Sequence, residues 1–405
     1  MGIFKQAYLR DRVEQMPYFY WLCATGVIGI RTYNKMQSVF GSPKAVYENP
    51  MKWEAAGVFT SGQLKVMREQ QEIRDIHTEY DRMLQKGIKF IPYESEEFPE
   101  RLKTIPDAPI GLFLRGKMPP QGIPIISVIG ARACSDYGRM MAEEIGEYVA
   151  AYNISLVSGM ARGVDSISQM AACRAGGYSM AVLGGGVDIV YPRESLALYE
   201  YLGKNGGILS EYAPGTKPQG KFFALRNRII SGLADVICVV EAKAESGTMI
   251  TVDAALEQGR EVYAVPGRIN DITSRGCHDL IKQGAGIVTD IEEFVKECLE
   301  NYRLSSDVYT VGTNLNNEAK MNAQGNEIKR NTGLLQTLCE EERNIVRVLS
   351  EDSFTVDELA RKLAMQAGEV LPFCLALTSK GLVKNIGAGR FLPTLDVINM
   401  RNFLI

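Results

Sequence analysis

Ile125-Ile126-Ser127-Val128-Ile129-Gly130-Ala131-Arg132 is a β-branched run that ends on a glycine turn. The figure recurs at Ile154 to Val157, Met180 to Leu183, Ile208 to Ser210, Val236 to Val240, Val262 to Val265 and Ile287 to Thr289. Each of these short apolar runs except the last is followed by a turn containing glycine, and usually by a helical segment. Strands alternating with helices predict an α/β fold built on a doubly wound, mostly parallel sheet. The runs are apolar throughout, so helices have to cover both faces of that sheet. This domain is expected over residues 124–300.

Outward from it the pattern changes on both sides. Seven of the sixteen prolines fall between Pro92 and Pro124, which forbids long helices and predicts an extended connection over residues 86–123. Residues 1–85 show helical apolar spacing, including the aromatic segment Tyr18-Phe19-Tyr20-Trp21-Leu22. A small helical domain, SAM-like or helix-hairpin-helix-like, is expected there. Its Gly26-x-x-Gly29 turn reads either as an ordinary bundle turn or as backbone N–H groups placed to hold a phosphate. On the far side, residues 301–331 contain seven Asn and few large apolar side chains, which predicts a flexible linker over 301–335. Residues 336–395 read as three helices and a glycine-tipped hairpin, the pattern of a winged helix, ahead of a tail at 396–405. The third helix, Glu369 to Lys380, is largely apolar. Packing or protein contact suits it better than reading duplex DNA, which needs phosphate cations and polar base readers.

Composition narrows the classes. The 405 residues are 46% hydrophobic and 23% charged, enough for two or three domains with a large core, so disorder and collagen-like repeats are excluded. Lys and Arg number 45 against 48 Asp and Glu, a net charge of −3, so any anion site must be a local patch. Eight Cys without a C-x-x-C pair and two His leave zinc ribbons, thioredoxin-type pairs and disulfide scaffolds nothing to build on. Cysteines set in stretches such as Val236-Ile237-Cys238-Val239-Val240 predict buried thiols in a reducing compartment, with the cytoplasm as the expected location. No apolar run approaches the ~18 to 20 residues of a membrane span, and neither a signal-peptide core nor a myristoylation pattern opens the chain. No membrane partner is expected.

In an open α/β sheet, ligands bind beyond the carboxyl ends of the strands, among helix N-termini and backbone N–H groups. Four turns are placed to build such a site: Gly130 to Gly138 with Arg132; Ser158-Gly159-Met160-Ala161-Arg162-Gly163-Val164-Asp165; Leu183-Gly184-Gly185-Gly186-Val187-Asp188; and Glu245-Ser246-Gly247-Thr248-Met249-Ile250. None is a P-loop, the first is not Gly-x-Gly-x-x-Gly, and no acid closes the second strand, so no nucleotide cofactor is expected. One such turn is commonly just a tight connection. Four at successive strand ends, two of them carrying an Arg, favour a phosphate site.

The segment Lys217-Pro218-Gln219-Gly220-Lys221-Phe222-Phe223-Ala224-Leu225-Arg226-Asn227-Arg228 is the most cationic part of this region, with four cations and no acid between Glu211 and Asp235. On a helix, Phe222, Leu225, Ile229 and Leu233 form an apolar stripe with Arg226 on its edge. Two readings are open: an internal salt bridge, or Arg226 and Arg228 gripping backbone phosphates while Phe222 or Phe223 offers a ring to a base. Interleaved cations and aromatics fit single strands, because stacking requires an unpaired base. No catalytic or metal constellation emerges. His77 and His278 have no nucleophile pattern around them, Asp165 and Asp188 read as helix caps, and no paired carboxylates are spaced for hydrolysis. A binding protein, not an enzyme, is expected.

Several ordered motifs together resemble the DprA/Smf family of DNA-processing proteins. They are Gly130-Ala131-Arg132 with Ser135-x-Tyr137-Gly138, Ser158-Gly159-x-Ala161-x-Gly163-x-Asp165, Ala181-Val182-Leu183-Gly184-x-Gly186-x-Asp188 with Tyr191-Pro192, Arg226-Asn227-Arg228-Ile229-Ile230-Ser231-Gly232-Leu233, and Ser246-Gly247-Thr248 running on to Pro266-Gly267. Phe98-Pro99-x-x-Leu102 and Pro109-x-x-Leu112-x-x-x-Gly116 extend the match before the sheet. The resemblance implies a cytosolic bacterial protein with an extended Rossmann fold. It implies that the protein binds single-stranded DNA in a basic cleft, protects incoming strands in natural transformation and competence, helps load the recombinase RecA, and works as a homodimer. Carried over to this chain, the DNA contacts are Gly130, Arg132, Ser158, Gly159, Arg162, Lys217, Lys221, Phe222, Phe223, Arg226, Asn227, Arg228, Ser246, Gly247 and Thr248. Departures at Ala131, Val164, Ala224-Leu225 and Glu194-Ser195 leave the cationic side chains in place. The alternative, a nucleotide-binding phosphoribohydrolase of a related Rossmann-like fold, lacks its motif, since Thr251 stands where the acid would be.

Overall fold

The computed structural model describes residues 14–311, 338–349, 354–380, 382–385 and 389–393. The tail at 396–405 and most of the expected linker lie outside these residues.

Nine strands form one sheet: β1 (Ile88–Pro92), β2 (Gly111–Gly116), β3 (Ile125–Ile129), β4 (Ser155–Ser158), β5 (Ser179–Val182), β6 (Gly207–Ser210), β7 (Val236–Val239), β8 (Glu261–Ala264) and β9 (Gly286–Ile287). Their order is β1-β2-β6-β5-β4-β3-β7-β8-β9. From β3 the chain steps outward through β4 and β5 to β6, then returns to lay β7 on the other side of β3. The register places Ile126 between Leu156 and Val236, both in parallel pairing. Because the direction of winding reverses between β3 and β7, the helices that follow them diverge and leave a crevice beyond the strand ends.

Every residue of β3 through β7 is buried, as two covered faces require. On one side Ile229, Leu233, Val252 and Ala255, from helices Gly220–Leu233 and Gly247–Glu257, pack on Val182, Leu209, Ile237 and Val239. On the other, Ile145 and Val149 of helix Asp136–Ala151 join Val295 against Ile126, Val128 and Cys238. Burying one such aliphatic side chain stabilises the fold by roughly 1.5–3 kcal/mol.

The proline-rich stretch 86–123 is extended, but it is part of the sheet and not a bridge to it. β1 pairs antiparallel with β2, and β2 with β6, so the sheet gains an antiparallel margin. The prolines flank these strands or end them, where no ladder N–H is needed.

The N-terminal helices (14–24, Ile30–Phe40, Pro43–Glu48, Ser61–Ile73 and Ile76–Gln85) surround Trp21, Trp53, Tyr33 and Met67. Thr60 and Gln63 close a capping box at the head of one of them, which supplies partners for its free N–H groups. This core does not stop at residue 85. Tyr20 meets Phe90 and Phe113 edge-on at 6.4 and 6.0 Å, and the cluster continues into Ala181 and Leu183.

Helix Ile291–Val311 runs past residue 301, so the first part of the expected linker is helical. Beyond it, helices Glu340–Leu349, Val356–Leu363 and Ala367–Ser379 and a sheet ordered β10 (Phe354–Thr355), β12 (Arg390–Pro393), β11 (Val383–Asn385) enclose their own core of Ile345, Leu359, Cys374 and Phe391. None of the eight cysteines is in a disulfide. Among the described residues no helix is long and apolar enough to cross a membrane.

Candidate nucleic-acid interface

The turns after β3, β4 and β7 and the first half of helix Gly220–Leu233 wall a crevice of about 570 Å³ at the point where the sheet reverses its winding. Gly130 and Arg132 come from the first turn, Ser246, Gly247 and Thr248 from the β7 turn, and Phe223, Arg226 and Asn227 from the helix. Gly159 and Arg162 line an adjoining cleft with Arg132, Tyr191 and Phe223. The turns are interlocked. Gly163 adopts φ +74, and a Cβ there would drive into the carbonyls of Ala131 and Arg132, so only glycine lets the first two turns meet. The Val164 N–H closes the junction by donating to the Ala131 carbonyl at 3.2 Å.

Arg226 is 4% exposed. Its Nη1 donates to the Gly159 carbonyl at 3.0 Å and to the Val182 carbonyl, pinning the ends of β4 and β5. Asp165 accepts from the Gly159 N–H at 3.1 Å instead of capping its helix. Burial pushes this carboxyl above the ordinary range against the pull of Arg226, while burial draws Arg226 down to about 10 against the pull of Asp165. The expected grip of Arg226 on a phosphate therefore meets a guanidinium turned inward, because the helix lies across the strand ends and its edge position faces their carbonyls.

Arg228 is bidentate, but on Glu211: Nη1 to Oε1 at 2.8 Å and Nη2 to Oε2 at 2.6 Å, with Nε on the Asp107 carbonyl at 2.8 Å. Burial opposes its charge, and Glu211 outweighs burial, so its pKa rises above the ordinary arginine value. The salt-bridge reading describes Arg228. Ser158 is buried and its hydroxyl donates to the Val128 carbonyl at 2.7 Å, which places it under the crevice floor. Asp188 accepts from the Gly215 N–H at 2.7 Å and pairs with Lys86 at 3.2 Å; it caps no helix.

The cations left outward are Arg132, Lys217, Lys221 and Lys243, all exposed. Arg132 sits over the Phe223 ring at 5.6 Å, and Lys221 over Phe222 at 5.2 Å. Arg162 is outward too but is tied to Glu194 at 2.6 Å. Neither phenylalanine is a free platform. Phe223 stacks on Tyr191 at 5.3 Å, and Phe222 on Tyr212 at 4.3 Å.

Several of these residues escaped the sequence reading. Lys243 lines the crevice and stands three residues before Ser246, so its place in the β7 turn was a usable signal. Glu241, 2% exposed, accepts from the Ser135 N–H at 2.8 Å and its hydroxyl at 2.6 Å. Ser135 in turn caps the Gly138 N–H, so one buried carboxylate holds the first turn in shape. Nothing local in the sequence marks that long-range pairing. His77 packs edge-on against Tyr18, and His278 Nε2 lies 3.0 Å from the Gly267 carbonyl, both apart from the crevice lining.

A doubly wound sheet with a crevice at its point of reversed winding defines a Rossmann-like α/β protein. Residues 89–299 match the family described as DNA recombination-mediator protein A. DNA processing protein DprA of Streptococcus pneumoniae (strain ATCC BAA-255 / R6) is 42% identical over 200 residues, 49% of this chain and 71% of that protein. DprA of Bacillus subtilis (strain 168) is 38% identical over 247 residues, 60% and 83% of the two chains. The X-ray structure of DprA from Streptococcus pneumoniae aligns with a TM-score of 0.60 at 34% identity, covering 69% of this chain and 97% of that one. The chain belongs to the DNA recombination-mediator protein A family, DprA/Smf.

Proposed function

We propose that this protein binds single-stranded DNA in the crevice between the β3 and β7 turns, and that it acts by holding the strand and not by cleaving bonds. The observation that carries this is Arg132. Its guanidinium is exposed at the crevice mouth, has no ion-pair partner among the described residues, and lies 5.6 Å from an aromatic ring. A guanidinium beside aromatic rings suits a backbone whose bases are unpaired and able to stack. Lys243 and Lys221 add positive charge, and helix Gly247–Glu257 presents its N-terminal N–H groups behind Ser246, which favour an anion. In this reading Arg132, Arg162, Lys217, Lys221 and Lys243 meet phosphates, Phe223 backs the aromatic wall, and Arg226 and Arg228 shape the site without touching the strand.

The family resemblance supports the wider role: protection of incoming single strands in natural transformation, help in loading RecA, a homodimeric state and a cytoplasmic location. The C-terminal unit, with three helices and a three-stranded sheet, is read as a winged helix. A gel shift comparing single-stranded DNA, duplex and RNA tests the central claim. Preference for the single strand, falling with salt and weakened by Arg132→Ala, is expected. Equal binding of duplex, or turnover of a free mononucleotide, overturns it.

A further inference from the structure

Tyr191 is 48% exposed and presents its ring at the rim of the crevice. One side of that ring is stacked on Phe223 at 5.3 Å and 29°. The cleft enclosed by Tyr191, Phe223, Arg132 and Arg162 is about 30 Å³, room for about one water and too small for a nucleobase. A base arriving here therefore lands on the outward side of Tyr191, with Phe223 behind it as a stiff backing. Two exposed arginines, Arg132 and Arg162, line the same cleft as Tyr191. Arg132 has no acidic partner among the described residues, whereas Arg162 is paired with Glu194 at 2.6 Å, both side chains 62% exposed. An exposed ion pair of this kind contributes little and opens readily.

Building on the single-strand reading above, we infer that Tyr191 is the base-stacking platform of the site and that Glu194 competes with the DNA backbone for Arg162. Binding exchanges the Arg162–Glu194 pair for an Arg162–phosphate pair. The displaced carboxylate turns to solvent, so no charge is left buried. The rim subsite then consists of one ring, two guanidiniums and one carboxylate that must yield.

The test uses the full chain with a 15-nucleotide oligo-dT and a 15-nucleotide abasic deoxyribose-phosphate strand. Tyr191→Ala is expected to weaken oligo-dT binding roughly five- to 150-fold and to leave the abasic strand unchanged, while Tyr191→Phe binds like wild type. Glu194→Gln is expected to bind oligo-dT more tightly, because Arg162 then meets its phosphate without first giving up an ion pair. Equal losses on both strands, or the same loss with Tyr191→Phe, would show that the ring does not stack a base and overturn the assignment. An unchanged Glu194→Gln overturns the competition. If Tyr191→Ala binds oligo-dT normally while Arg132→Ala is weakened, the platform is wrong and the crevice reading stands. If Arg132→Ala is also unaffected, the crevice reading itself has failed.

Discussion

The guanidinium of Arg226 donates to the carbonyl of Gly159 at 3.0 Å, and a Cβ on residue 159 would come within 2.5 Å of that same guanidinium. A cation in the crevice wall is thus engaged by the protein, and the glycine opposite is what makes room for it. Arg226→Ala leaves Asp165 buried beside two unpaired carbonyls, an expected loss of about 3–5 kcal/mol. Gly159→Ala forces the guanidinium aside, for about 1–3 kcal/mol. Thermal unfolding should register both, and an Arg226→Ala protein as stable as wild type would refute the pinning role.

Arg132→Ala should behave in the opposite way. Its guanidinium makes no ion pair among the described residues, so stability should stay within about 0.5 kcal/mol of wild type. The salt dependence of single-strand binding should flatten by about 0.7 in log–log slope for the one phosphate lost. Titrations at several salt concentrations measure this.

Arg228 and Glu211 are 19% and 17% exposed, and removing either partner strands the other. Arg228→Met or Glu211→Gln alone should cost about 2 kcal/mol, with the double variant closer to wild type than the sum of the two. A double-mutant cycle by chemical denaturation gives the coupling. A change in DNA salt slope without loss of stability would instead assign Arg228 to the strand.

Glu342 and Lys380 tie the C-terminal unit together, with Lys380 Nζ at 2.6 and 2.7 Å from the two carboxylate oxygens. Burial acts to raise the carboxyl, but Lys380 and the Cys339 N–H together outweigh it and hold Glu342 below its ordinary 4.5. A depressed carboxylate adds stability that is fully present above the unfolded value and is lost as pH falls through the folded one. Hydrogen exchange at Ile345 and Leu377 in the full chain should therefore speed up as pH drops below about 4.5 once corrected for intrinsic exchange, and Glu342→Gln should flatten that dependence.

Much of the sheet was legible because both of its signals are local. Seven apolar runs begin and end within about two residues of β3 to β9, and all but the last run on into a turn that contains glycine. β1 and β2 were not legible: prolines signal where a strand must stop, while the pairing of β2 with β6 joins residues about a hundred positions apart. Within the site, the turns were found because glycine and the residues around it declare a tight connection. The roles of the cations were not found in the same way, since Arg226 and Arg228 lie two residues apart on one helix and point to different partners.

The order of amino acids was enough to establish a doubly wound α/β domain, its glycine turns, the absence of a nucleotide-cofactor motif and the family resemblance, because periodicity and turn chemistry act over a few residues. Which charges remain available depended on the folded chain. Helix Gly220–Leu233 crosses the ends of β4 and β5, so Arg226 is consumed by their carbonyls and Arg228 by Glu211, while Arg132, on a turn held by Glu241 and Ser135, is left facing outward. A guanidinium's partner is set by which acceptors lie within about 3 Å of it, and that distance exists only after distant segments have packed.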